Sequence, residues 1–222
     1  EHDGSDCVGN DGGNGSKGTK GEEGLSAPDI YFILKYVSNN STDGLQIPVI
    51  TLIGQNGQDG QDGGDGGRGA DGGKGADAVS HVVNCHKGVG HGGDGGDGGN
   101  GGDGGDGGKG GSGGHVTLLY VDSDRNVGKT GLKNLVTNSG GSGGSNGIGG
   151  DKGQGGSGGD PGDKKWPCGE EPDRDGEDGT SGSNGGDGKA GNKGSGGTVN
   201  TPEQITSSDW EYYFNAPYIE SV

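Results

Sequence analysis

A strict three-residue glycine period between Gly88 and Gly114 constrains the fold more than any other feature. From Gly92 onward, glycine fills two of every three positions, and the third holds Asp94, Asp97, Asn100, Asp103, Asp106, Lys109 and Ser112 in turn. Each interior glycine costs an α-helix about 1 kcal/mol relative to alanine, and a β-strand has a period of two. A polyproline-II helix has three residues per turn. The stretch therefore predicts a polyproline-II helix, here in its polyglycine-II form.

The same period recurs in five blocks, which we number segments 1 to 5. They cover residues 9–24, 54–75, 88–114, 140–162 and 176–197. Glycine faces let neighbouring helices approach closely enough for their backbone N–H and C=O groups to pair. We therefore predict a bundle of about five antiparallel polyglycine-II helices with almost no α-helix. Segment 3 should be the most enclosed, because only one of its three faces carries side chains.

Nearly all large apolar residues lie between or after these segments, in residues 25–53, 115–139 and 198–222. In the first stretch, two β-branched and aromatic runs flank a polar turn that ends in Asp-Gly, which predicts a β-hairpin. Residues 115–137 predict a second hairpin. If the segments alternate in direction, the three apolar stretches form a β-rich head on a single elongated domain. The opposite end, the foot, then consists of residues 1–8, 76–87 and 163–175.

All three cysteines fall in the predicted foot. Two should form a disulfide, and we favour Cys85–Cys168 because both lie in linkers held by segments on either side. Cys7 is then left as a free thiol or for pairing with another chain. The histidines near Cys85 do not have a standard zinc-ligand spacing, so no metal site is predicted.

Composition excludes several functional classes. Of 222 residues, 64 are glycine and only 22% are hydrophobic, which is typical of disorder, but disordered chains do not require glycines in register. Collagen would need far more than the 7 prolines present. The net charge of −17 argues against nucleic acid as a partner, and no apolar run approaches the ~20 residues of a membrane span. No nucleophile–base pair or cofactor motif is recognisable, so we expect neither an enzyme nor a cofactor.

The chain begins at Glu1 and contains no methionine, which suggests that a secretory signal peptide was removed. We therefore expect a secreted, extracellular protein. Asn14, Asn39 and Asn40 each begin an Asn-X-Ser/Thr sequon, so glycans are possible partners at these positions.

The glycine blocks, above all the sequence GGDGGDGGNGG, resemble proteins built as polyglycine-II helix bundles. Springtail antifreeze proteins and the glycine-rich tips of phage tail fibres are members of this set. The resemblance covers only the glycine segments, and it implies a fold rather than a function.

We expect a structural protein that forms an extracellular filament or matrix as a homopolymer. The head has more apolar residues than it can cover, and open strand edges and apolar patches are association sites. The candidate assembly residues are Ile30, Phe32, Leu34, Ile50, Leu52, Trp210, Tyr212, Tyr213, Phe214 and Tyr218. The alternative is a binding module on the same scaffold, either an ice-binding protein or an adhesin tip.

Overall fold

The computed structural model describes residues 7–37, 49–123, 136–168, 174–201, 203–206, 208–209 and 211–212. Among them, α-helix is confined to residues 208–209 and 211–212, which confirms the prediction of almost no helix. The described residues form seven short strands: β1 (Ile30–Val37), β2 (Ile50–Thr51), β3 (Val79–His81), β4 (Asn84–Lys87), β5 (Val116–Ser123), β6 (Val136–Thr137) and β7 (Glu203–Gln204). We find no described helix with the length and apolar character that a membrane span requires.

The chain divides into two compact units, and each contains a part of all five glycine segments. Unit 1 comprises Glu1–Gly21, Asp59–Gly107 and Ser145–Ala190, and unit 2 comprises Glu22–Gln58, Gly108–Gly144 and Gly191–Val222. In both units the described glycine segments lack helix and strand. They are joined by backbone hydrogen bonds that recur at every third residue.

In unit 1, the register of these bonds gives the direction of each segment. The N–H of Gly9 donates to the carbonyl of Asp94 and that of Gly12 to Asp97, so segments 1 and 3 are parallel. Gly93 donates to Gly73 and Gly96 to Ala70, so segments 2 and 3 are antiparallel. The remaining bonds follow the same rule: segments 1, 3 and 5 run one way, and segments 2 and 4 run the other way.

Segment 3 has the largest set of partners in unit 1. Its backbone exchanges hydrogen bonds with segments 1, 2, 4 and 5. A Cβ atom added at Gly101 would overlap the carbonyl oxygen of Gly150, and one added at Gly102 would overlap that of Ser16. Both glycine rows therefore face neighbouring backbone, while the third row, which contains Asn100, is exposed.

Both predicted hairpins are wrong. In unit 2, β1 pairs with β5 in parallel, with Ile30 opposite Val116, and β2 pairs with β6 in parallel, with Ile50 opposite Val136. The reason lies in the preceding glycine segments. Ala27 donates to Ser112 at 2.8 Å and Ile30 donates to His115 at 2.9 Å, so the ladder between segments 1 and 3 continues without a break into the strand pair.

The structure also contains a hairpin that the sequence did not predict. In unit 1, β3 and β4 pair antiparallel, with His81 opposite Asn84 and Ser80 opposite Cys85, inside the stretch 76–87 that we expected to be a linker. The turn residue Val82 has a φ of 27°, an unusual conformation for a β-branched residue. The run lacks the Asn-Gly or Asp-Gly turn by which such hairpins are recognised.

A small apolar core lies in unit 2. Val116 and Leu118 of β5 are 1% and 2% exposed. Partly buried hydrophobic residues pack against them: Ile30, Phe32, Leu52, Tyr120, Val136 and Val199. The core therefore covers one face of the β1–β5 pair.

Candidate functional site

The outer edge of β1 is the first candidate site. The strand order in the unit 2 sheet is β1–β5–β7, so β1 has a strand neighbour on one side only among the described residues. The N–H of Ile30 donates to His115, which places the backbone groups of Ile30 and Phe32 on the β5 side. Backbone direction alternates along a strand, so the N–H and C=O groups of Tyr31 and Ile33 point to the open edge.

The side chains of β1 differ between its two faces. Ile30 and Phe32 are partly buried against the core, whereas Tyr31 on the opposite face is 73% exposed. β1 therefore combines an anchored face, an exposed aromatic residue and a backbone edge that no described strand pairs with. This combination is suited to contact with another chain.

The other predicted assembly residues fall into two groups. Ile50 lies in β2, Leu52 packs against the core, Leu34 lies in β1, and Tyr212 is exposed. Trp210, Tyr213, Phe214 and Tyr218 lie outside the described residues. The role of the whole group in assembly stays a prediction.

The rows of Asp and Asn side chains along the glycine segments form a second feature. In unit 1, Oδ1 of Asp11 accepts the backbone N–H of Asp97 at 2.9 Å, and Oδ1 of Asn14 accepts that of Asn100 at 2.8 Å. Segments 2 and 4 repeat the arrangement at Asp59, Asp62, Asp65 and Asp71, and Asp77 continues it just beyond segment 2. These side chains are exposed, yet each satisfies a donor of the neighbouring parallel segment.

Segments 3 and 5 are joined in the same way. In unit 1, Oδ1 of Asp94, Asp97, Asn100, Asp103 and Asp106 each accepts one backbone N–H of segment 5 at 2.7–2.8 Å. The sequence separation is 86 residues between segments 1 and 3 and 83 between segments 3 and 5. The offset is constant within each pair of segments, so the three-residue period that aligns the glycines also aligns each Asp or Asn with a backbone donor. We call these side-chain bonds between parallel segments the side-chain ladder.

Hydrogen bonds of the side-chain ladder lower the pKa of two of its carboxyl groups. The pKa of Asp97 is lowered mainly by the backbone hydrogen bond from Thr180, with a second contribution from the Thr180 hydroxyl. The pKa of Asp77 is lowered mainly by the backbone hydrogen bond from Asp163 and also by Lys74. In both cases the bond favours the charged form.

The third feature is the disulfide of unit 1. Cys85 of β4 is bonded to Cys168, with a Cα–Cα distance of 4.8 Å, as we expected. Cys7 is a free, partly exposed thiol, and its Sγ lies 3.7 Å from the carbonyl oxygen of Lys74. The cross-link therefore joins the β3–β4 hairpin to the stretch that follows segment 4.

The predicted glycosylation sites are only partly described. Asn14 is exposed, and its Oδ1 belongs to the ladder. Asn39 and Asn40 lie outside the described residues. Glycan attachment at all three stays a prediction.

Comparisons with known proteins add little to this picture. No protein-family model matches the chain, and no curated protein matches it. One solved structure, a springtail antifreeze protein from Granisotoma rainieri described as a bundle of nine polyproline type II helices, is 24% identical over 78% of this chain and 92% of that chain. Its TM-score is 0.11, so this similarity carries no argument about fold or function.

Proposed function

We propose that this chain is a secreted structural protein, the subunit of an extracellular filament or matrix that assembles through the open edge of β1. The main support for this proposal is the eight-residue strand β1, which pairs with β5 on one side and with no described strand on the other. An exposed strand edge presents a row of unpaired donors and acceptors that templates pairing with another chain. The occupant we propose is a second copy of this protein.

The composition of β1 supports this role. Its sequence, IYFILKYV, has no proline and no glycine, and it carries a single charge at Lys35. Natural edge strands that must avoid association use proline, several charges or a bulge. The register between β1 and β5 advances without a shift from Ile30–Val116 to Leu34–Tyr120. Addition of a strand to this edge would extend the sheet by main-chain hydrogen bonds.

We also infer that the glycine segments adopt the polyglycine-II conformation within each unit. Hydrogen bonds at every third residue support this conformation, because a helix with three residues per turn returns to the same face at that interval. The exposed third row, such as Asp94 to Asp106, supports it as well. Such segments would hold β1 and β5 in register and leave the outer edge of β1 free.

The extracellular location rests on the disulfide. Disulfides persist in oxidising compartments and are rare in the cytosol, and the Cys85–Cys168 bond is compatible with such a compartment. Proteomic analysis of the extracellular fraction of the source cells would test secretion directly.

Negative-stain electron microscopy of the purified full-length chain tests the assembly proposal. The decisive variant is Tyr31→Pro, because proline at this position removes a donor that points to the open edge and spares the bond from Ile30 to His115. The matched control is Tyr31→Thr, which removes the same ring and keeps the N–H. We expect filaments from the wild type and from Tyr31→Thr, and none from Tyr31→Pro. A wild-type chain that stays monomeric at high concentration would overturn the proposal, as would equal filament formation by Tyr31→Pro.

A binding module remains the second candidate, and the side-chain array of unit 1 favours it. Asp97 and Thr180 lie in contact, and Asn100 and Ser183 repeat that relation one period later. Such a regular exposed array could bind an ordered surface such as ice or a glycan lattice. Thermal hysteresis of the monomeric protein would favour this function over a filament.

A further inference from the structure

Two histidines of unit 1 lie side by side on the β3–β4 hairpin and take no part in the strand edge described above. The rings of His81 and His86 meet edge to face, with centroids 5.2 Å apart and planes at 90°. Both side chains are exposed to solvent. Neither histidine belongs to the side-chain ladder or to the apolar core.

The hairpin places the two histidines on neighbouring strands. His81 is opposite Asn84, and Ser80 is opposite Cys85. The register then shifts, with Val79 opposite Lys87, so His86 lies at an irregularity in β4. The ring of His86 contacts the ring of His81 across the hairpin. Cys85, the residue before His86, is bonded to Cys168. The two imidazoles therefore lie together beside the disulfide, at the register shift of the hairpin.

We propose that His81 and His86 form a two-residue chelating site for a borderline divalent transition-metal ion of the zinc, nickel and copper class. Imidazole nitrogen suits these metals, and Zn–N bonds are about 2.0–2.1 Å long. Two imidazoles that share one tetrahedral zinc at this bond length have ring centroids about 5 Å apart. The observed separation already matches that value, so binding requires rotation of the rings and little movement of the backbone.

The surroundings hold the pair in place. Sγ of Cys168 lies 3.5 Å from the carbonyl oxygens of both Val79 and Lys87, at the open end of the hairpin. The other end closes in a two-residue turn, in which the N–H of Val83 donates to the carbonyl of His81. Both ends of the hairpin are thus constrained, and the cost of ordering the ligands is small.

The site has two protein ligands. Among the described residues no group of three His, Cys, Asp or Glu side chains is placed to hold a metal ion. Cys85 is unavailable as a thiolate because it is in the disulfide. Water completes the coordination, and the site binds more weakly than a four-ligand structural zinc site, which leaves it open to a further donor from a ligand or a second chain.

Isothermal titration of the oxidised full-length protein with Zn²⁺ tests the site. We expect one Zn²⁺ ion to bind per chain, in addition to weak binding of Zn²⁺ by the exposed carboxylates. His81→Gln and His86→Gln should each lower the affinity at least tenfold, whereas His91→Gln, which alters an exposed histidine outside the hairpin, should leave it unchanged. Wild-type affinity in both hairpin variants would overturn the proposal, as would an equal loss in His91→Gln.

Proton NMR of the imidazole Cε1–H signals gives a second readout that does not depend on the variants. On addition of Zn²⁺, the signals of His81 and His86 should shift together, while those of His91 and His115 stay in place. Shifts confined to other histidines, or no shift in the hairpin pair, would contradict the chelate. Retention of the Cys85–Cys168 bond in each variant, measured by mass spectrometry, ensures that a loss of binding reflects lost ligands.

Discussion

Oδ1 of Asp97 accepts two hydrogen bonds from Thr180, one from the backbone N–H at 2.7 Å and one from the hydroxyl at 2.9 Å. The same residue uses its own N–H to donate to Asp11 at 2.9 Å. Asp97 therefore links segments 1, 3 and 5 within unit 1. This single residue shows how the parallel segments are held by side chains in addition to glycine backbone.

Replacement of Asp97 should destabilise the protein more when the new side chain cannot accept a hydrogen bond. We expect Asp97→Ala to lower the melting temperature, because it removes the acceptor of two bonds. Asp97→Asn keeps Oδ1 and should lower it less. Thermal unfolding by circular dichroism measures both. Equal melting temperatures for wild type and Asp97→Ala would mean that the ladder adds nothing to stability.

Acid should weaken the ladder in a predictable direction. The folded-state pKa of Asp97 lies below its usual value because of the bonds from Thr180. Its stabilising contribution is therefore fully present above the unfolded-state pKa and is lost as the pH falls through the folded-state pKa. Melting temperature measured from pH 7 down to pH 2 should fall more for the wild type than for Asp97→Asn, which cannot titrate at that position. Parallel pH profiles for the two proteins would contradict this.

Valine scanning of segment 3 should separate its glycine rows from its exposed row. A Cβ at Gly101 or Gly102 meets a backbone carbonyl of segment 4 or segment 1. Gly101→Val and Gly102→Val should each push a neighbour away and leave buried backbone groups unpaired, at about 1–3 kcal/mol per group. Asn100→Val should cost less, because it loses only one exposed bond to Ser183. Chemical denaturation provides the comparison, and equal tolerance at the three positions would show that segment 3 is not enclosed.

Loss of the disulfide should be costly, and loss of the free thiol should not. The Cys85–Cys168 bond joins residues 83 positions apart in the sequence, and disulfides that close long loops typically stabilise by about 2–4 kcal/mol. We expect the double variant Cys85→Ser/Cys168→Ser to unfold at lower denaturant concentration and Cys7→Ser to behave like the wild type. Peptide mapping under non-reducing conditions should recover the Cys85–Cys168 pair. Three free thiols in protein purified from an oxidising compartment would contradict it.

Deletion of residues 208–222 tests the part that the aromatic tail plays in assembly. The glycine segments are held by bonds among themselves, so the truncated chain should keep its circular dichroism spectrum. If the tail contributes to the contact between copies, the truncation should abolish filaments seen by electron microscopy. Normal filaments from the truncated chain would restrict the contact to β1 and its neighbours.

The three-residue period predicted the near absence of helix and the enclosure of segment 3, because glycine content directly limits which backbones can pack. The favoured cysteine pair followed from the alternating direction of the segments. The hairpins around Ile30 and Val116 were mispredicted for an energetic reason. Local turn signals favour pairing of neighbours in sequence, but the glycine ladder had already placed residues 86 apart side by side.

Local sequence patterns also could not predict the side-chain ladder or the histidine pair. Asp11 and Asp97 each resemble any solvated carboxylate until the register brings a backbone donor to each. His81 and His86 are brought together by a turn at Val82 that has no glycine or asparagine signal. In each case the partner lies in another strand or segment, so short-range propensity carries no information about it.

The fixed offsets, 86 residues between segments 1 and 3 and 83 between segments 3 and 5, give this sequence something like a reading frame. Deletion of one residue within a glycine segment would turn every later side chain by about a third of a turn, and Asp or Lys would then face backbone that has room only for glycine. Deletion of three residues would restore the faces and merely shift the register by one step. Length changes within the glycine segments should therefore be tolerated in multiples of three, much as a coding sequence tolerates the loss of whole codons.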